Sequence, residues 1–212
     1  YTGSVSVGQA VARTCAETFK PCLIEASGND PFIVMPSAPM DMAVRGAAFA
    51  AYLNCGQVCT SAERFYVHEK IHDQFVEGLV AEAKRLRIGN GLDAVDLGPL
   101  ATSKQRDRYE GLIARARQQG AKVATGGGRP AELNRGWFVE PTVLTDVTPD
   151  MEIINEEPFG PVAPICKVKD FDEAITLANR SRFGLGSNLY SLDIDEAFRA
   201  VREIESGILW VN

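Results

Sequence analysis

Apolar residues recur along the chain in two patterns, short continuous runs and longer runs with helical spacing. The short runs predict β-strands over residues 22–25, 31–35, 64–68, 121–125, 137–144, 162–168, 187–190 and 207–211. The helically spaced runs predict helices over residues 6–19, 40–52, 71–86, 103–119, 172–181 and 193–203. Strands that alternate with helices of this length predict a three-layer α/β fold, with a mostly parallel sheet flanked by helices and right-handed crossovers.

The composition is that of an ordinary globular protein. Of the 212 residues, 45% are hydrophobic and 24% are charged, and the formal net charge is −6. This acidic balance argues against a nucleic-acid partner, which requires a clustered basic surface. No segment reaches the roughly 18 apolar residues of a membrane span. We therefore expect a cytoplasmic protein with no membrane partner.

The five cysteines are odd in number and scattered, which argues against a disulfide framework. Cys55 and Cys59 lie close together in the sequence, but neither a second cysteine pair nor a nearby histidine completes the ligand set of a zinc site. We therefore expect no metal.

Residues 54–60, Asn-Cys-Gly-Gln-Val-Cys-Thr, are the strongest candidate for chemistry. They follow the predicted helix 40–52, and Asn54 and Gly56 are typical of residues that end a helix, so we expect Cys59 on an irregular segment. The free backbone N–H of Cys59 could then stabilise an oxyanion formed at its sulfur. On the residues alone, a second interpretation stays open, because an unpaired cysteine is more often a small buried hydrophobic residue.

Two further segments contain turn residues beside polar groups. Gly3 and Ser4 precede a predicted helix, where backbone amides and the helix dipole can hold a diphosphate, although a plain strand-to-helix turn fits equally well. Residues 156–161, Glu-Glu-Pro-Phe-Gly-Pro, hold an acid and an aromatic ring at defined positions. On the residues alone this segment would be a solvated turn.

Taken together, these segments resemble the active-site signatures of the aldehyde dehydrogenase superfamily. Residues 23–31, Leu-Ile-Glu-Ala-Ser-Gly-Asn-Asp-Pro, are similar to the family's glutamate loop, and Glu25 precedes Cys59 by 34 positions, a spacing similar to the family's. Six further segments resemble the family in the same order: residues 1–4, 96–100, 140–144, 156–162, 183–185 and 206–212.

The resemblance implies a role for each candidate residue. Cys59 would be the nucleophile and Glu25 the general base. Glu157 would contact the ribose, and Phe159 the nicotinamide, of a bound NAD or NADP. The resemblance also implies cofactor contacts at Gly3, Ser4, Gln105 and Arg108, although a solvated helix face explains the last two equally well.

The activity implied by the resemblance is the oxidation of an aldehyde to a carboxylic acid. The Cys59 thiolate would form a thiohemiacetal and then a thioester, and Glu25 would accept a proton from the hydrolytic water, a role that partial burial would favour. Branches of the family that transfer the acyl group to coenzyme A commonly lack this glutamate, so hydrolysis is favoured over the acylating alternative. The resemblance also implies a homo-oligomer, a dimer or a tetramer.

Two departures from the family pattern set limits on this interpretation. Ala26-Ser27-Gly28 stands where the family usually has Leu-Gly-Gly, which places a side chain where a backbone bend and a close approach of the cofactor are usual. The resemblance also covers only the latter part of a full-length enzyme. We therefore expect residues 1–27 to be the end of a dinucleotide-binding domain and residues 28–212 to be a catalytic domain without its C-terminal tail. Alone, such a fragment should have little activity.

Two alternatives of another kind remain open. A Cys-His hydrolase would need His68 or His72, the only histidines, beside Cys59. A non-catalytic module could keep the fold without the chemistry, although the presence of Glu25, Cys59 and Glu157 together argues against it.

Overall fold

Seven strands and seven α-helices are spread along the chain in the computed structural model, which describes residues 1–212. The helices are α1 (Val5–Glu17), α2 (Met40–Tyr52), α3 (His72–Arg85), α4 (Ser103–Gln118), α5 (Glu152–Asn155), α6 (Phe171–Asn179) and α7 (Ile194–Glu203). The strands are β1 (Asp30–Val34), β2 (Ala62–His68), β3 (Lys122–Thr125), β4 (Thr142–Thr145), β5 (Val162–Val168), β6 (Gly186–Tyr190) and β7 (Ile208–Val211). A 3₁₀ turn, Leu53–Gly56, follows α2.

All seven strands form one sheet in the order β3-β4-β5-β2-β1-β6-β7. Every neighbouring pair is parallel except β3 and β4, which are antiparallel. The central strands β5, β2, β1 and β6 therefore run in one direction, and the segments that precede them meet at one edge of the sheet.

Helices cover both faces of the sheet because the strand residues alternate between two hydrophobic cores. Phe32 and Val34 of β1 join the core on the α2 and α3 side. Ile33, between them, joins the core that α4, α5 and α6 contribute to on the other side. The period of two along a buried strand produces this division. The predicted three-layer α/β fold with a mostly parallel sheet is confirmed.

The main differences from the predicted elements lie where tertiary partners decide the conformation. Residues 22–25 are not a strand, because their only sheet-like pairing is an isolated bridge between Glu25 and Thr2. In the predicted strand region 137–144, only residues from Thr142 onward pair with the sheet. The short helix α5 was not predicted, since four residues are too few to show a helical period.

None of the seven helices is both long enough and apolar enough to cross a membrane. No group of three or more histidine, cysteine, aspartate or glutamate side chains is arranged to hold a metal ion.

Asp30, at the start of β1, is a buried acid that links two strands. Its side chain is 1% exposed, and its Oδ1 accepts a hydrogen bond of 3.0 Å from the N–H of Gly186 on β6. Its Oδ2 has no partner. Burial raises the pKa of Asp30 to about 7, although the Gly186 N–H and the charge of Arg64 oppose the increase.

We predict that Asp30→Asn changes how stability depends on pH. The folded protein keeps a proton on Asp30 that the unfolded chain releases above about pH 4, so this contribution to stability is lost as the pH rises through 7. Between pH 5 and pH 8 the loss should be about 2–3 kcal/mol for this group. Urea unfolding at both pH values should show the loss in the wild type and a smaller one in Asp30→Asn. Equal losses in the two proteins would contradict the assignment.

Candidate active site

Four segments that precede parallel strands converge at one edge of the sheet. Residues 25–29 lead into β1, residues 57–61 into β2, residues 156–161 into β5 and residues 182–185 into β6. Because the four strands are parallel and adjacent, their amino ends lie side by side. The parallel pairing therefore collects segments that are more than 100 residues apart in the sequence.

A cleft of about 920 Å³ lies among these segments. Seven of the eight predicted site residues line it: Gly3, Ser4, Cys59, Gln105, Arg108, Glu157 and Phe159. Glu25 is not among the lining residues, although the next two residues of the chain, Ala26 and Ser27, are. The structure thus brings seven of the eight residues that the resemblance assigned to the site together in one cleft.

The turn before Cys59 is unusually constrained. Asn54, Cys55 and Gly56 have φ angles of 51°, 59° and 68°, so three consecutive residues adopt the left-handed conformation. Glycine adopts this region freely and asparagine does so more readily than most residues, whereas a cysteine there is uncommon. A Cβ on Gly56 would also lie 2.3 Å from the backbone carbon of Gly160, so the turn packs directly against the segment 156–161. The helix break predicted at Asn54 and Gly56 is confirmed.

Cys59 lies on the irregular segment after this turn and is partly exposed to the cleft. Neither its N–H nor that of Thr60 donates a hydrogen bond within the chain, so both remain able to meet a negative charge beside the sulfur. The neighbouring Cys55 differs, because it is 2% exposed and burial raises the pKa of its thiol to about 12. Of these two thiols, only Cys59 is accessible from the cleft.

The glutamate segment packs against the backbone of Cys59. A Cβ on Gly28 would lie 1.9 Å from the carbonyl oxygen of Cys59, so only a glycine fits at this contact. Asn29 is 1% exposed, and its Nδ2 donates to the carbonyl groups of Ile154 and Glu156 at 3.0 and 3.1 Å. Gly28 and Asn29 therefore connect the glutamate segment to both other parts of the site.

Glu25, the predicted general base, lies at the surface of this chain. Its side chain is exposed, and its backbone is held only by pairing with residues 1–3: Glu25 N–H donates to Tyr1 O at 2.9 Å, and Gly3 N–H donates to Glu25 O at 3.0 Å. Residues 22–25 lie outside the sheet, so no strand fixes the position of this carboxylate.

Two side chains of α4 hold the segment 156–161. Gln105 Nε2 donates to the carbonyls of Pro158 and Phe159 at 2.9 and 2.8 Å, and Arg108 donates to the carbonyl of Glu157. The polar groups of Gln105 and Arg108 are therefore engaged with this segment while both side chains line the cleft. Their predicted contact with a cofactor stays a prediction.

The carboxylate of Glu157 is anchored at the boundary between cleft and core. Its Oε1 accepts a hydrogen bond of 3.2 Å from the N–H of Gly28. Burial raises the pKa of Glu157, whereas the Ser27 hydroxyl, the Gly28 N–H and the charges of Arg108 and Arg182 oppose the increase. These contacts fix the direction in which the carboxylate points.

Sequence reasoning missed two buried polar residues that organise the site, Asn29 and Glu63. Glu63 is 2% exposed, lies within the fully buried strand β2, and accepts a hydrogen bond from the N–H of Phe159. A signal was available, since an acid inside an otherwise buried strand is rare unless it has a partner.

The statistical model of the "Aldehyde dehydrogenase family" matches residues 1–212 of the chain. The chain belongs to this family. The relatives include the NADP(+)-type succinate-semialdehyde dehydrogenase of Mycobacterium avium, which is 45% identical over 212 residues. They also include the 3-sulfolactaldehyde dehydrogenase of Pseudomonas putida, which is 43% identical over 213 residues. The chain is covered completely in both comparisons, but it spans only 44% and 43% of these relatives' length.

Solved aldehyde dehydrogenase structures share the fold closely. Betaine aldehyde dehydrogenase from Staphylococcus aureus, solved with NAD+, superposes with a TM-score of 0.95 at 34% identity, over 100% of this chain and 42% of that one. The structure of 3,6-anhydro-L-galactose dehydrogenase superposes with a TM-score of 0.96 at 38% identity, over 99% of this chain and 45% of that one.

The two histidines lie away from the cleft. Cys59 lies before the first residue of β2, whereas His68 is its last residue. Because a strand of seven residues is about 20 Å long, the two side chains lie at opposite ends of the strand. His72 begins α3, where its Nδ1 lies 2.7 Å from Asp73 Oδ1. Neither histidine lines the cleft, so this family member has no Cys-His pair at Cys59.

We predict that Gly28→Ala displaces Cys59. The added methyl group would overlap the carbonyl oxygen of Cys59, and such overpacking typically reduces the free energy of unfolding by about 1–3 kcal/mol. Urea unfolding and the alkylation rate of Cys59 by iodoacetamide, followed by mass spectrometry, should both change. Gly91→Ala is the matched control, because its Cβ would meet nothing within 4 Å. An unaltered alkylation rate in Gly28→Ala would contradict the predicted displacement.

Proposed function

We propose that this chain carries the catalytic centre of an NAD(P)-dependent aldehyde dehydrogenase of the hydrolytic type. The observation that supports this most directly is the position of the Cys59 thiol in one cleft with Glu157 and Phe159, two residues from a distant part of the sequence. Since the chain spans less than half of its relatives' length, the activity is proposed for the full-length protein.

The residues present fit a nicotinamide cofactor. Ser4 is the N-cap of α1 but its side chain caps no backbone N–H, so the amides of the first turn are available to a diphosphate beside Gly3. Glu157 would accept hydrogen bonds from the ribose hydroxyls, and the ring of Phe159 would pack on the nicotinamide. When bound, the cofactor would supply the two-electron acceptor for the oxidation. Relatives named for NADP(+) and a structure solved with NAD+ support this assignment without deciding between the two.

The chain's own residues would act in two steps. The Cys59 thiolate attacks the aldehyde carbon, and the backbone N–H of Cys59 stabilises the resulting oxyanion. After oxidation, the acyl group is held as a thioester on the Cys59 sulfur. Glu25 then accepts a proton from the water that attacks this thioester, which releases the carboxylic acid and restores the thiol.

The identity of the aldehyde is a narrower question. The relatives are named for succinate semialdehyde and for 3-sulfolactaldehyde, both of which carry an anionic group. We therefore propose that the substrate is a short aldehyde that bears a carboxylate or a sulfonate. The substrate panel should contain such aldehydes and neutral aldehydes of equal length. Turnover of the panel with each cofactor tests the proposed function.

The division at residue 27, the homo-oligomeric state and the cytoplasmic location also stay proposals. The intact mass of the purified protein decides whether a longer chain carries these residues. A mass near that of the relatives with turnover would support the dehydrogenase. A protein of 23.0 kDa that never reduces either cofactor would be an isolated fragment whose catalytic residues lack their partners, whereas a protein of the relatives' mass without turnover would favour the non-catalytic module.

We predict that Cys59→Ala in the full-length protein lowers turnover by on the order of a thousandfold or more, because no other thiol is placed to form the thioester. Reduced cofactor, followed by its absorbance, is the measurement. Cys22→Ala is the matched control, since Cys22 is an exposed thiol outside the cleft. Normal turnover in Cys59→Ala would eliminate the thiol mechanism.

We predict that Glu25→Gln forms the thioester but hydrolyses it about 100- to 10,000-fold more slowly, the typical contribution of a general base. Rapid mixing should then show a burst of reduced cofactor followed by slow turnover. The exposed Glu17, which lies outside the cleft, supplies the control Glu17→Gln. Full steady-state turnover in Glu25→Gln would exclude Glu25 as the base. Acyl-coenzyme A as the product, instead of the acid, would favour the acylating alternative.

A further inference from the structure

Glu63 is a buried acid that reaches from β2 to the segment 156–161. It is 2% exposed, and its Oε1 accepts a hydrogen bond of 2.9 Å from the N–H of Phe159. Its Oε2 has no partner in the chain. Burial of a carboxyl group that lacks one of its hydrogen-bond partners lowers the stability of the folded protein.

The contact acts on a strained residue. Phe159 has a φ of 49°, in the left-handed region that is unfavourable for a side chain of this size. Its carbonyl accepts from Gln105 Nε2 at 2.8 Å, and its N–H donates only to Glu63. The peptide groups on both sides of the Phe159 Cα are therefore fixed by side chains, one from α4 and one from β2.

Glu63 also connects this residue to the nucleophile. It follows Cys59 by four positions on one continuous segment, and the turn before Cys59 packs on Gly160, the next residue after Phe159. The positions of the Cys59 thiol and the Phe159 ring thus both depend on the contacts between residues 54–63 and the segment 156–161. A shift of the segment 156–161 would change the distance between them.

We propose that Glu63 is a positioning residue, which holds Phe159 in its left-handed conformation and thereby sets the place of the nicotinamide ring relative to Cys59. This role rests on the proposed function. In the proposed reaction, Glu63 contacts neither the substrate nor the cofactor and acts only through the N–H of Phe159.

Either protonation state of Glu63 can accept the hydrogen bond from the Phe159 N–H. Burial raises the pKa of Glu63 well above its usual range, and the charges of Glu157 and Asp30 raise it further, against the Phe159 N–H and the charge of Arg108. A protonated carboxyl still offers a carbonyl oxygen to the Phe159 N–H. Glutamine has the same shape and the same acceptor, so Glu63→Gln should preserve the contact, whereas Glu63→Leu fills the space without an acceptor.

The experiment compares these variants in the full-length protein with two readouts. Amide hydrogen exchange by mass spectrometry reports on the peptide that contains Phe159 without any cofactor present. Calorimetric titration with NAD+ and with NADP+ reports on the affinity. The matched control is Ser191→Ala, which removes a buried hydroxyl beyond the carboxyl end of β6, whose hydrogen bonds involve Ser37 and the N–H of Asp193 and not Phe159.

In Glu63→Leu we expect exchange at Phe159 to be at least about tenfold faster and the cofactor to bind about tenfold more weakly, as for the loss of one buried acceptor. Glu63→Gln should stay within about twofold of the wild type in both readouts. Ser191→Ala should alter exchange at Asp193 and not at Phe159. If Glu63→Leu does not fold, Glu63→Ala provides the same comparison.

Two failures can be told apart. If the wild type binds NAD+ or NADP+ but Glu63→Leu matches Glu63→Gln in exchange and affinity, the role of Glu63 is overturned while the proposed function stands. If the wild type binds neither cofactor, the proposed function fails, whatever the exchange at Phe159 shows.

Discussion

The parallel alignment of β5, β2, β1 and β6 is the constraint on which the site depends. Each of these strands is preceded by a segment that lines or supports the cleft, and parallel pairing places all four segments at the same edge. The register is strongly specified, since β1 and β2 are buried on both faces and a slip by one residue would move every side chain to the wrong core. The geometry around Cys59 therefore follows from the hydrophobic pattern of strands that contain no proposed catalytic residue.

Close backbone contacts between the segments at this edge of the sheet fix the position of the Cys59 thiol. Gly28 meets the carbonyl of Cys59, and Gly56 meets Gly160, at distances that leave no room for a Cβ. These contacts explain why Gly28 is retained in a loop that otherwise departs from the family pattern at Ala26 and Ser27. The departures lie beside the contact and leave it in place.

The fold could be predicted from the sequence because its signals are local and redundant. Apolar periodicity located six of the helices and most of the strands, and turn residues located the break before Cys59. The strand predicted over residues 22–25 failed because a short apolar run becomes a strand only beside a partner, and Glu25 pairs only with Thr2. The roles of Asn29 and Glu63 depend on contacts with residues about 95 to 130 positions away, which a single sequence does not reveal.

The two proposed catalytic residues rest on different supports. Cys59 is held between a glycine of the β1 segment and the turn that packs on Gly160, so its position is built into the sheet. Glu25 is exposed and is held by pairing with residues 1–3 alone. A thiol must meet its substrate with one geometry, because the oxyanion needs a fixed N–H donor. A base that acts on a water molecule tolerates more freedom, since a water can bridge a longer distance. The chain therefore holds Cys59 rigidly for the attack on the aldehyde, which requires a fixed geometry. It holds Glu25 less tightly for the hydrolysis, which requires only a proton acceptor.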